Sequence, residues 1–119
     1  IPARRPVPRA GTHTTIGVVA TDVSLVAAEA SRMATIAHDG LARAVRPAHT
    51  AFDGDTFFAL STSRRELAGA GRERALEAAE VFEAGAACVE RAVVNALVAA
   101  QSVAGIPSYG ELYPSALRP

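Results

Sequence analysis

Lysine is absent from this chain. All 12 basic residues are arginine, and 12 acidic residues balance them to a net charge of zero. No cationic field is therefore available to gather nucleic acid or an anionic membrane surface, and neither is expected as a partner. Cysteine is nearly absent as well: Cys88 stands alone, so neither an internal disulfide nor a cysteine-rich metal site can form, and the residue reads as a small buried hydrophobe. No apolar run reaches membrane-spanning length, because Glu, Arg or Asn interrupts each one. The opening "IPARRPVPRAG" also lacks the apolar stretch of a secretory signal. These absences point to a reducing, cytoplasmic setting.

What is present is a chain of 119 residues, half of them hydrophobic, with no internal repeat. That length fits one domain at most. Residues 1–13 are rich in arginine and proline and read as an extended linker arm, followed by a folded portion over 14–119.

From Thr14 to Thr21 the sequence is β-branched and apolar on both alternating faces, which predicts a strand covered on both sides. Asp22 or Ser24 is placed to cap a helix in which Val26, Ala30, Met33, Ala37, Gly40, Leu41 and Ala44 recur at helical spacing, and Pro47 stops it. His38-Asp39 reads as closing that helix near its negative end. The stretch "FDGDTFFALST", Phe52 to Thr62, predicts a tight turn eased by Gly54 and a second strand over Thr56–Leu60, with Asp53 and Asp55 at its entrance.

A polar loop from Ser63 to Gly71 leads into a long helix. Its expected packing stripe is Leu76, Ala79, Ala86, Val89, Val93, Ala96, Leu97 and Ala100. The tail from Ser102 is punctuated by Gly105, Pro107, Gly110 and Pro114, and reads as a surface or partner-covering segment. Two strands and two helices cannot cover both faces of a central sheet, and a two-stranded sheet is marginal alone. The chain therefore reads as part of a larger α/β fold whose remaining strands come from another polypeptide.

The order of these motifs carries a resemblance. "TTIGVVATD", the helical "AAEASRMATIAHDGLARAVRP" and then "FDGDTFFALST" resemble the small β subunit of the self-processing L-aminopeptidase/D-esterase family, which includes nylon-oligomer hydrolases. The similarity runs from about Thr14 to at least Val103. It implies an αββα four-layer sandwich of the N-terminal-nucleophile kind, completed by an upstream α subunit of the same precursor. It also implies an oligomer of αβ units, a small peptide or amide substrate, and no cofactor.

By that resemblance Thr14 is the nucleophile and Thr15 its structural neighbour, while Asp53 and Asp55 match two side chains that lie beside the nucleophile in relatives. The acidic pair corresponds to the nylon-hydrolase branch. Cleavage is implied between His13 and Thr14; His13 stands where relatives usually carry Asn or Gly.

The chemistry follows without the family. A threonine hydroxyl is a weak nucleophile, but an N-terminal threonine has its own α-amino group, of reference pKa about 8, to accept the proton. Two neighbouring carboxylates repel, so one is expected to hold a proton while the other orients the threonine. Oxyanion-stabilising groups are not legible and are assigned to the missing subunit.

Taken singly, a Thr-Thr pair opening a strand and an Asp-Gly-Asp turn are structural features; their joint order is what points to an amide-bond hydrolase. Two alternatives stay open: a non-catalytic homologue serving as an assembly or binding module, motivated by His13, and a related acyltransferase. His38 and His49 match no standard metal-ligand spacing, and no metal is expected. Met33 reads as core, and Arg64, Arg65 and Arg72 as surface-loop charges.

Overall fold

The computed structural model of the chain describes residues 14–117. The expected arm, and His13 with it, lie outside the described residues. The elements run β1 (Ile16–Val23), α1 (Ala27–Ala44), β2 (Thr56–Arg65), α2 (Arg72–Ala99) and a short α3 (Tyr109–Leu112), with a 3-10 turn at Pro114–Leu117. Among the described residues no helix is long and apolar enough to cross a membrane.

The two strands pair in parallel, with Ile16 opposite Thr56 and Thr21 opposite Ser61, and α1 is the crossover between them. A parallel pair requires such a connection, because a tight hairpin cannot return the chain in the same direction. Beyond Thr21 the register slips and Val23 faces Arg65. Ser63 takes a left-handed φ of 52° within that slip. The Ser61 hydroxyl fills the interrupted ladder, donating to the Val23 carbonyl at 2.6 Å and accepting from the Leu25 N–H at 3.4 Å.

β2 thus extends three residues into what reads from sequence as the polar loop. Arg65 ends it in a two-pronged pair with the Asp22 carboxylate, both N···O distances being 2.9 Å. Neither expected residue caps α1: the N-cap position falls on Val26, while Asp22 is taken by Arg65 and the Ser24 backbone is tied to the Arg65 carbonyl two residues before that position. Instead Glu29 reaches back from the first turn and accepts the Val26 N–H at 2.9 Å, and Arg74 of α2 clamps the same carboxylate. Helix α1 runs six residues past His38 to Ala44, so His38-Asp39 does not close it.

Both long helices lie on one face of the sheet. Val19, Val23 and Phe57 point into that layer and meet Met33, Ala37 and Leu41 of α1 and Ala78, Phe82, Ala86 and Val89 of α2. Met33, 1% exposed, is core as expected. Small residues set the helix spacing: a β-carbon on Gly40 would run into the Ala86 carbonyl oxygen, and one on Gly85 would press on Val19 at 3.1 Å.

The packing stripe of α2 is Ala78, Phe82, Gly85, Ala86 and Val89, with Val93 packed against the core; Ala86, Val89 and Val93 lie there as expected, while Ala78, Phe82 and Gly85 were not expected. Leu76 and Leu97 are exposed, as is Val26. Leucine and valine mark hydrophobicity, but the close approach of α1 selects the face that carries Gly85 and Ala86. Cys88 falls off this face and is exposed, contrary to the expectation of a buried thiol.

The opposite face of the sheet is uncovered within the described residues. Ile16, Val18, Phe58 and Leu60 line it, each between 53% and 72% exposed. The expectation of a strand covered on both faces is thus met on one face by this chain's own helices. The other is an apolar surface of the kind that ordinarily contacts a further layer.

Candidate active site

At the N-terminal end of the sheet, Thr14 and Thr15 lead into β1 and the segment Thr50–Asp55 leads into β2. Parallel pairing fixes them side by side: the Thr56 N–H donates to the Thr15 carbonyl at 2.9 Å, one residue before the ladder proper. The two segments, about 40 positions apart in sequence, share a recess of about 180 Å³ lined by Thr14, Thr15, Asp53 and Asp55 and floored by Leu41 and Pro47. All three residues expected to carry chemistry border this one space. A larger recess of about 320 Å³ lies beside β1 and α2 around Val19, Gly85 and Cys88, but its walls are largely apolar.

Gly54 lies directly against the Thr14 side chain, where an added β-carbon would come within 2.8 Å of Thr14 Oγ1. The sequence suggests a glycine that relieves a tight turn, yet Gly54 is not among the positive-φ residues. Its function in the fold is close approach: the backbone between the two aspartates must pass the threonine hydroxyl with no side chain between them.

The two aspartates are held differently. Asp53 folds back on its own turn, its Oδ2 accepting the Thr50 N–H at 2.6 Å while its own N–H donates to the Thr50 carbonyl at 3.1 Å. Asp55 reaches across to β1, where its Oδ1 accepts the Thr15 N–H at 2.9 Å. Its Oδ2 meets His49 Nδ1 at 3.0 Å.

Burial disfavours a charge on Asp55, whose side chain is only 8% exposed. The Thr15 backbone N–H, the Thr15 side chain and His49 together outweigh that penalty and hold the carboxyl below its ordinary value of 3.8. Asp55 is thus a carboxylate at neutral pH, suited to orienting donors. Of the two expected roles in the pair, holding a proton does not fall to Asp55.

His49, which the sequence suggests only as a candidate metal ligand, is the further residue of this site. Its ring packs on His38, centroids 5.0 Å apart, and His38 in turn meets Phe57 edge-on at 4.9 Å. The available signal was position: His49 precedes Asp55 by six residues, and a turn at Thr50–Asp53 doubles the chain back.

With this geometry in hand, the comparison with known proteins is specific. Residues 3–109 match the model of Peptidase family S58, which is most of the chain. The chain is 49% identical over 115 residues to an uncharacterized aminopeptidase of Mycobacterium leprae (strain TN), covering 92% of this chain and 32% of that protein. To an uncharacterized aminopeptidase of Mycobacterium tuberculosis (strain ATCC 25618 / H37Rv) it is 47% identical over 110 residues, 87% of this chain and 32% of the relative. A 6-aminohexanoate-oligomer endohydrolase of Kocuria sp. (strain KY2) is 39% identical over 62 residues, 52% of this chain and 17% of that enzyme.

A two-stranded parallel α/β unit carrying a threonine and an acidic pair at its head is compatible with that family's architecture. The chain belongs to Peptidase family S58, in line with the family that its motif order resembles. It spans about a third of the length of the mycobacterial relatives.

Proposed function

We propose that this chain is the nucleophile-bearing portion of an amide-bond hydrolase in which Thr14, freed at its amine, attacks the substrate carbonyl. The observation that supports the reading is that Thr14, Asp53 and Asp55 line one recess, with Gly54 so close that a β-carbon there would stand 2.8 Å from Thr14 Oγ1. Family membership and the hydrolase names of the relatives favour the same class.

In processing, Thr14 Oγ1 adds to the carbonyl carbon of His13, the bond from that carbon to Thr14 N breaks, and the resulting ester is hydrolysed by water. The liberated α-amine then serves as the base. In turnover it takes the proton from Oγ1 as that oxygen attacks the substrate amide, and the departing amine takes a proton. Water hydrolyses the threonyl ester to complete the cycle. Asp55, ionised and bonded to the Thr15 N–H, fixes the peptide that follows the nucleophile.

The upstream portion of the same precursor completes an αββα sandwich over the face of Ile16, Val18, Phe58 and Leu60. It supplies the oxyanion donors and most of the pocket wall, and the αβ units associate further in the cytoplasm. The relatives' additional length is what supports a precursor of this kind.

Mass spectrometry of the full-length protein, paired with hydrolysis of amino-acid p-nitroanilides and of a 6-aminohexanoate oligomer, tests the reading. A chain beginning at Thr14 is expected, with activity proportional to its abundance. Thr14→Ala abolishes processing and hydrolysis, Thr14→Ser retains some of each, and His13→Asn accelerates cleavage. A Thr14→Ala protein that hydrolyses either substrate as well as the parent overturns the proposal; a folded parent that neither cleaves nor hydrolyses marks a non-catalytic homologue.

A further inference from the structure

His49 stands at a backbone φ of 56°, a region that residues with a side chain seldom adopt. That conformation directs the imidazole back across the turn, where Nδ1 meets Asp55 Oδ2 at 3.0 Å and Nε2 meets the His38 carbonyl at 3.4 Å. Both ring nitrogens thus face oxygen atoms, and the carboxylate opposite Nδ1 accepts a hydrogen bond from that nitrogen in the tautomer that carries its proton there. The ring packs on His38, which fixes its plane.

We infer that His49 is the positioning residue of this site: it holds Asp55 so that the carboxylate's other oxygen takes the Thr15 N–H, and thereby fixes Thr14. The inference rests on the proposed nucleophile. Asp55 Oδ1 binds the N–H of the peptide joining Thr14 to Thr15, so its position sets where the Thr14 hydroxyl and amine lie. Without a donor on Oδ2 the carboxylate is free to rotate about its χ2, and the bond to Thr15 is lost for part of the time. A misplacement of about 1 Å at a reacting group costs on the order of a hundredfold in rate.

Two substitutions separate this role from a merely structural one, because both residues tolerate the left-handed backbone. His49→Gly removes the donor, whereas His49→Asn puts an amide N–H near the place of Nδ1. In the full-length protein, with an amino-acid p-nitroanilide as probe and rates normalised to chains beginning at Thr14, kcat of His49→Gly is expected to fall by roughly ten- to a hundredfold. KM should move much less, and His49→Asn should return most of kcat.

A glycine variant with the parent's kcat overturns the inference, and so does an asparagine variant with its kcat as low as that of glycine. If the glycine variant does not fold, the asparagine variant is read against the parent: a kcat within a few-fold of the parent is expected, and a loss of about tenfold or more overturns the inference. Thr14→Ala, run in parallel, distinguishes the two readings: an inactive Thr14→Ala beside a fully active His49→Gly removes only the role of His49, while an active Thr14→Ala removes the nucleophile.

Discussion

The Thr14 hydroxyl and the backbone of Gly54 are in such close approach that a β-carbon on Gly54 would stand 2.8 Å from Thr14 Oγ1. The Thr14 side chain is exposed and free to turn away, so Gly54→Ala is expected to cost little stability. It should instead displace the oxygen that carries the chemistry. Processing before Thr14 should slow by at least tenfold while the thermal midpoint changes by only a few degrees, an effect of about 1 kcal/mol or less. Parent-like processing in Gly54→Ala would show that the approach is incidental.

The uncovered face of the sheet leads to a second expectation. Ile16, Val18, Phe58 and Leu60 form an adjoining apolar surface across two paired strands. Such a surface drives association when nothing lies over it. Residues 14–119 produced alone should aggregate or bind a hydrophobic dye strongly, and co-production with the upstream region should suppress both. A monomeric, cooperatively melting product that binds no dye would mean that the two helices suffice.

How far the fold was legible depended on the kind of information each element needed. β1 and β2 declared themselves by β-branched and aromatic runs, and Met33, Ala37 and Leu41 by helical spacing. Local pattern was enough there. For α2 it was enough only in part: Ala86, Val89 and Val93 pack as their spacing predicts, whereas Leu76 and Leu97 are exposed and Gly85, whose missing side chain lets Val19 and Met33 approach, takes the buried face. The cap position of α1 falls on Val26, while Asp22 is taken by Arg65, 43 residues away.

In the site, Thr14, Asp53 and Asp55 could be named from motif order, whereas their mutual roles could not. His49 carries no motif. Its partnership with Asp55 depends on a left-handed backbone and a return turn that composition does not announce. For the glycine between the aspartates the sequence suggests conformational freedom, whereas the structure uses its lack of a side chain.

Three carboxyls are held below their ordinary values; Asp22, paired with Arg65 but exposed, contributes least, and stability toward acid follows chiefly from the other two. Hydrogen bonding from Arg74, then from the Val26 N–H, holds Glu29 below its ordinary value of 4.5, and Asp55 lies below 3.8 for the reasons given above. For a lowered carboxyl the stabilisation is fully present above the unfolded value and is lost as pH falls through the folded one. The melting temperature of the assembled protein should therefore be insensitive to these groups above about pH 5 and should drop below about pH 4. Glu29→Gln should lower it at pH 7 and cause little further change at pH 3; an equal loss at both values would show that the ion pair with Arg74 contributes nothing.

The acidic pair permits a sharper test, because its members are bonded in different directions. In Asp53→Asn the side-chain oxygen remains to accept the Thr50 N–H, so the turn survives and only the charge beside the recess is removed. In Asp55→Asn one amide must face both the Thr15 N–H and His49 Nδ1, and only one of its two ends accepts a hydrogen bond. The link between His49 and β1 then survives only if His49 Nδ1 turns from donor to acceptor, and in either case the charged hydrogen bonds to Asp55 are lost. Both variants should fold and both should turn over more slowly, with Asp55→Asn the slower by about tenfold or more, since a bond to a charged group contributes roughly 1.5–3 kcal/mol. The measurement is kcat for p-nitroanilide hydrolysis, normalised to chains that begin at Thr14. Two unaffected variants would leave the Asp-Gly-Asp segment a turn and nothing more; equal losses would mean that charge, and not the direction in which each carboxylate is held, is what the threonine requires.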